Sequence, residues 1–313
     1  MLLGLTSGCG ARELAAPPQS PSAPATHLSV PRPPQLSRAE PVLWVGLEDH
    51  LGSHPAAMPL RLVSAGAPLT LGDGAGRSWK AASFTLRWES VALPNPLKLA
   101  RRIAGPFASF ESAERLAQRW RALGVTASVA HPNEWEVWAP QGSIAPEGTP
   151  VRDWTRRVHA TVEPTLETPE GLQPIKGPLQ ITAPDGLRWN RGVFRGPFRL
   201  QRDAYGSWTL IEQVAVERYL EGVVPHEIGA SSPVSALEAQ TVLARTWALA
   251  NSHRFNIDGY HLCSDTQCQV YSDPRLAGAA VRQAIAATRG RLLSRAGRPI
   301  SAVYHATNGG VMA

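Results

Sequence analysis

Glu227 is the side chain with the clearest chemical prospect. It sits in Gly222-Val223-Val224-Pro225-His226-Glu227-Ile228-Gly229, with apolar neighbours and little polar company. Apolar surroundings disfavour a charged carboxylate, so Val223, Val224 and Ile228 are expected to raise its pKa. A carboxyl still protonated near neutrality can donate a proton as a general acid and accept one afterwards. The residues alone leave a second reading open, an acid simply placed before a helix start. A nearby helix amino end would favour the ionised form instead.

The element after Glu227 must position it. Ser232 is suited to cap a helix and Pro233 to occupy its first turn. From Val234 to about Ser252 the apolar residues lie nearly all round the helical wheel, the pattern of a helix buried on most sides. Its polar exceptions are informative. At roughly 100° per residue, Glu238, Thr241 and Arg245 fall in one narrow stripe. Arg245 keeps its charge, so burial requires an acceptor. Either it pairs structurally with Glu238 or a carbonyl, or the stripe lines a groove beside Glu227.

Further elements surround this core. "PVLWVGLEDH", "PLRLVSAGAPLTL" and "SFTLRWESVAL" read as strands over 41–95. After Pro96, "LKLARRIAGPF", a helix from Ser112 to Leu123 stopped by Gly124, and a hairpin around "HPNE" make a strand–helix–strand–strand unit over 97–140. Pro, Gly and Glu between 140 and 178 predict linkers and turns, and strands follow with turns at Asp185-Gly186 and Tyr205-Gly206. Residues 10–40 are rich in Pro, Ala and Ser and predict an extended tether. The predicted fold class is α+β.

Composition narrows the function classes. The chain has 313 residues, 43% hydrophobic, enough for a real core, and a net charge of +6. That mild basicity suits an anionic polymer or an acidic surface. No aromatic-and-basic pattern of a nucleic-acid module occurs, so no nucleic-acid partner is expected. The ten tryptophans read either as core or, for a few, as flat platforms for sugar rings. Of three cysteines, Cys263 and Cys268 form a close pair and Cys9 is left over.

"RGPFRLQRDAYGSWTLIEQVAVERYLEGVVPHEIGASSPVSALEAQTVLARTWAL", followed in order by "CSDTQCQVYSD", "AIAATRGRLL" and "YHATNGG", resembles the SpoIID/LytB family of bacterial cell-wall proteins. The signature is a strand, an "LEGVVPHE" turn, then "ALEAQTVLARTWAL". The resemblance implies a domain over 41–95 and 150–313, interrupted by the 97–140 unit. "AGPFASFESAERLAQRW" and "LGVTASVA" in that unit look like a SPOR domain, which binds glycan strands stripped of stem peptides. The bland alternative is a structural insert. Leu5-Thr6-Ser7-Gly8-Cys9 resembles a bacterial lipobox, which implies lipidation at Cys9 and a cell-envelope or periplasmic location, against an ordinary disordered terminus. Family members usually continue for some tens of residues past the counterpart of Gly310, so a fragment is expected.

Enzymes of this family resemble lytic transglycosylases, which cut the bond between N-acetylmuramic acid and N-acetylglucosamine in peptidoglycan. The resemblance assigns the catalytic acid to Glu227. It assigns substrate positioning to Gln240, Arg245, Tyr304, Thr307 and Asn308. In such an enzyme the muramic 6-hydroxyl is the nucleophile, so a lone carboxyl suffices where a two-carboxylate hydrolase needs a pair, and no cofactor is required. A non-enzymatic role, stimulating a cell-wall amidase, is also associated with the family. Cys263 and Cys268 then admit three readings: zinc ligation with His261, as in some members, a disulfide, or reduced thiols. Many relatives have His where this chain has Gln267, and any zinc would be structural.

Overall fold

A computed structural model describes residues 24–304. Strands β1 (Val42–Leu51), β2 (Leu60–Ser64), β3 (Leu69–Gly72), β4 (Ser78–Ala81) and β5 (Ser83–Phe107) lead into helix α1 (Phe110–Ala122). β6 (Ser128–Ala130), β7 (Trp135–Pro140), β8 (Arg152–Thr168) and β9 (Gly171–Pro174) follow. Then come β10 (Leu179–Thr182), β11 (Leu187–Trp189), β12 (Gly192–Phe194), β13 (Phe198–Arg202) and β14 (Trp208–Ala215). Helices α2 (Val216–Ile228) and α3 (Val234–Ala250), the short β15 (Leu262–Cys263) and α4 (Ala279–Ala287) complete the frame. The architecture is mixed α+β.

Two sheets carry these strands, and a separate two-stranded ribbon pairs Ser294–Arg295 with Arg298–Pro299. One has seven strands in the order β15-β1-β14-β13-β10-β3-β4; the other runs β12-β11-β2-β5-β7-β6, with β8 pairing β5 and β9. The strands alternate: Leu60 and Leu62, Leu69 and Leu71, Leu179 and Ile181 point inward while their neighbours face out. These inward side chains from both sheets share one core with Tyr219, Leu220, Val223 and Val224 of α2 and Leu237, Ala244 and Ala248 of α3. Helix α2 is thereby fixed to the sheets along its length.

The 97–140 unit has its strand–helix–strand–strand order, with Ser109 capping α1 through the Ser112 N–H. Its amino-terminal border differs from expectation. β5 is 25 residues long and runs through Pro94 and Pro96 into the unit. The break seen in sequence is a register shift: Ala92 faces Ala160 and Leu97 faces Val158, after which the β8 ladder resumes. Prolines donate no ladder hydrogen bond, and a bulge accommodates them. The predicted linker over 140–178 instead holds the 17-residue β8, whose Thr and Val suit a strand despite the Pro and Glu that suggested loop. The unit also shares a core with Ile211, Phe255 and Tyr260 of the main fold.

Of the expected tether, residues 24–36 lie against the fold. Leu28 is buried with Leu99 and Val158, the Ala25 carbonyl accepts from the Ala100 N–H at 2.9 Å, and the Pro34 carbonyl meets His261 Nε2 at 3.2 Å. A few apolar residues with a docking surface already built by the sheets suffice to order a proline-rich segment. The proposed lipidation site Cys9 lies outside the described residues. Among the described residues no helix is long and apolar enough to cross a membrane. Of the tryptophans, Trp88, Trp120, Trp135, Trp138, Trp208 and Trp247 are core residues.

Candidate active site around Glu227

The stretch expected as a turn is helical: "LEGVVPHE" forms the last turns of α2. Pro225 lies inside the helix, which costs one backbone hydrogen bond near the end, where few remain to be lost. Gly229, at φ +82°, ends it and donates to the Pro225 carbonyl at 3.1 Å. Gly222 lets α2 approach its neighbour closely. A Cβ there would stand 2.5 Å from the Tyr271 ring and 2.6 Å from the Ser272 carbonyl.

This placement changes the electrostatics. Glu227 belongs to the carboxyl-terminal turn of α2, and α3 starts only at Val234. The nearest helix end is therefore a negative one, which opposes ionisation of a carboxyl. Glu227 is half-buried, and desolvation raises its pKa above the ordinary value. The neighbouring Tyr304 hydroxyl and His226 act in the opposite direction.

Tyr304 is itself tightly held. Gln269 Nε2 donates to its hydroxyl oxygen at 2.7 Å, and the Tyr219 hydroxyl donates to Gln269 Oε1 at 3.1 Å. Burial and the Glu227 charge push the Tyr304 phenol up, so it remains a donor. Gln240 is buried beside Tyr304. Glu227, Tyr304, Gln269 and Trp247 line a pocket of about 220 Å³, closed by Thr266, Cys268, Val270 and Val303. It is smaller than a typical ligand pocket of roughly 300–1,000 Å³ and suits part of a larger molecule.

The structure thus brings Gln240 and Tyr304 to Glu227 but not Arg245. Residues 240 and 247 are seven apart and share a face of α3, whereas position 245 lies about 140° round from 240. Arg245 is buried and makes a bidentate ion pair with Glu217, Nε to Oε1 at 2.9 Å and Nη2 to Oε2 at 2.6 Å, plus a 3.3 Å contact to the Arg291 carbonyl. Its acceptor comes from α2, not from Glu238. Thr241 bonds back to the Leu237 carbonyl at 2.7 Å, so the stripe does not line a groove beside Glu227. Ser232 does not cap α3; its hydroxyl donates to the Ile228 carbonyl at 2.6 Å, and Pro233 holds the cap position. Thr307 and Asn308 lie outside the described residues.

Cys263 and Cys268 form a disulfide. His261 accepts from the Trp44 N–H on Nδ1 at 2.9 Å and faces the Pro34 carbonyl through Nε2. Both sulfurs and both ring nitrogens are engaged, so the donor set does not fit a zinc ion. No cluster of three or more His, Cys, Asp or Glu able to hold a metal occurs among the described residues. Sequence reasoning missed Trp247, Gln269 and Tyr219. Trp247 was accessible from its seven-residue spacing to Gln240; Gln269 and Tyr219 carry no local signal, because their role arises from contacts 35 and 50 positions apart.

Comparison with known proteins bears on the same segment. The family model described as SpoIID, stage II sporulation protein, matches residues 204–294. An uncharacterized protein of Brachyspira hyodysenteriae is 33% identical over 107 residues, 32% of this chain and 28% of that protein. The protein named amidase enhancer of Bacillus subtilis is 35% identical over 91 residues, 29% of this chain and 12% of that protein. The matches therefore span under a third of either relative's length. The segment that holds Glu227, Gln240 and Gln269 is thus similar to the SpoIID family and to the amidase enhancer.

Proposed function

We propose that the chain is a lytic transglycosylase acting on peptide-free glycan strands of peptidoglycan, with Glu227 as its acid and base. The observation that carries this reading is a half-buried carboxyl whose pKa is raised by desolvation and which lines a pocket with a tyrosine donor and a tryptophan. The protonated carboxyl donates to the glycosidic oxygen as the bond to muramic C1 breaks. The muramic 6-hydroxyl then bonds to C1 and gives its proton to the Glu227 carboxylate, leaving a 1,6-anhydro end and a recharged acid. Trp247 lines one wall of the pocket, and Tyr304, with Gln240 buried beside it, is assigned to positioning the substrate. The envelope location, the lipid at Cys9 and the glycan-binding role of the 97–140 unit are parts of the same proposal.

A second reading rests on the relative named amidase enhancer: the chain binds the wall and stimulates a separate amidase without cleaving glycan. Digestion of purified, peptide-free glycan strands followed by mass analysis separates the two. Anhydro-ended products made by the native chain and not by Glu227→Gln establish the enzyme. No such products, with amidase stimulation that survives Glu227→Gln, establish the enhancer.

A further inference from the structure

A cavity larger than the one at Glu227 lies elsewhere on the fold. About 790 Å³ in volume, it is bordered by the amino-terminal turns of α2, the end of α3, one side of α4 and residues 38–41. Glu227 is nine positions beyond Arg218, so the two sites stand about 14 Å apart along α2. The lining is dominated by guanidinium groups: seven arginines against three glutamates.

Three of those arginines have carboxylate partners. Arg245 is clamped to Glu217, Arg275 to Asp273 at 2.5 Å, and Arg289 faces Glu40 at 3.8 Å. The other four, Arg38, Arg195, Arg218 and Arg282, have no ion-pair partner among the described residues. Glu212 lies near Arg218, but its oxygens accept from the Arg195 and Gly196 backbone N–H groups at 3.1 and 2.9 Å and from the Tyr271 hydroxyl at 2.8 Å. Arg218 Nε is buried without a hydrogen-bond partner among the described residues. A desolvated N–H left unpaired is destabilising, and so is a gathering of like charges around one volume. A bound oxyanion relieves both at once.

We infer that this cavity is an anion-binding site for a ligand carrying two or more phosphate or carboxylate groups, recognised by the half-buried Arg218 and by the exposed Arg38, Arg195 and Arg282, the last of which also donates to the Ala277 carbonyl. Guanidinium is the side-chain group whose planar fork matches both oxyanions. The volume exceeds what a single phosphate fills, and the four unpaired arginines come from four separate segments of the chain. The inference is independent of glycan cleavage.

Inorganic tripolyphosphate and citrate serve as probes, titrated calorimetrically into the full chain at low salt. Saturable binding of either is expected, with the preferred probe telling phosphate from carboxylate chemistry. Affinity should fall at least tenfold in the Arg218→Gln, Arg282→Gln double variant and about as much in Arg38→Ala, Arg195→Ala, whose exposed positions carry little risk to folding. Binding should also weaken as salt rises, because these charges are only partly shielded from solvent. Failure of the native chain to bind either probe overturns the inference, and so does equal binding by both folded double variants, which means non-specific attraction to a basic protein. Anhydro-product formation by the variants, measured in parallel, is expected to be unchanged.

Discussion

Helix α2 carries a glutamate near each end, and the two have opposite roles. Glu217, in the first turn, is locked by two hydrogen bonds to Arg245 and ties α2 to α3. Glu227, in the last turn, lies beside the Tyr304 hydroxyl, has no ion-pair partner among the described residues, and has its proton affinity raised by desolvation. The residue type is the same and the chain separation is only ten positions. What differs is whether an opposite charge is buried with the carboxyl. A clamped carboxylate stabilises a fold; an unclamped one at a pocket can exchange a proton.

Two substitutions should separate those roles. Glu227→Gln is expected to lower anhydro-product formation by about 100- to 10,000-fold, as for removal of a general acid, while leaving the thermal transition unchanged or slightly higher. The sign follows from the raised pKa: the stabilising contribution of protonated Glu227 is lost as pH rises through its folded value, and glutamine has no such loss. Glu217→Gln should do the reverse. Leaving the buried Arg245 charge without its partner is expected to cost about 3–5 kcal/mol, read by denaturant unfolding, with any loss of cleavage following loss of fold. If Glu217→Gln abolished cleavage in a protein of native stability, the contrast between the ends of α2 would collapse.

A smaller effect is expected at His261, which holds residues 24–36 to β1. Its pKa is pushed down to about 4 by burial, and protonation would put a second donor opposite the Trp44 N–H. The unfolded chain takes up this proton at higher pH than the folded one. Stability is therefore lost as pH falls from about 6.5 toward 4, by on the order of 3 kcal/mol. His261→Asn, which keeps an acceptor near Nδ1, should flatten that slope in unfolding curves; an unchanged slope would place the titration elsewhere. The smallest effect is at Tyr304. Removing its hydroxyl in Tyr304→Phe deletes a donor to the charged form of Glu227, so the alkaline limb of the cleavage profile should move to higher pH. Movement to lower pH would show that this hydroxyl does not govern the proton affinity of Glu227.

Much of the secondary structure was legible because it is locally encoded. The alternation in Leu60–Ser64, the helical spacing of Ala113, Leu116 and Trp120, and the all-round apolar wheel of α3 each lie within one window of residues. The errors came where long-range pairing overrode local signals. Pro94 and Pro96 suggested a border, yet β8 supplies a ladder that carries β5 across them. "LEGVVPHE" is expected as a turn from the family signature, yet burial of Tyr219, Leu220, Val223 and Val224 against the sheets keeps it helical.

The sequence by itself determined the α+β class, the similarity of the 204–294 segment to the SpoIID family, and the acidic residue on which the functional proposal turns. Those rest on residue types and short spacings, which the chain carries wherever it folds. Only the tertiary structure decided that Arg245 answers Glu217 and not Glu238, that Cys263 pairs with Cys268 while His261 holds backbone, and that Glu227 meets Tyr304. Each of those outcomes is a choice among several chemically acceptable partners. Distance in the folded state makes that choice, and distance is set by the packing of α2 and α3 on two sheets whose strands are far apart in the chain.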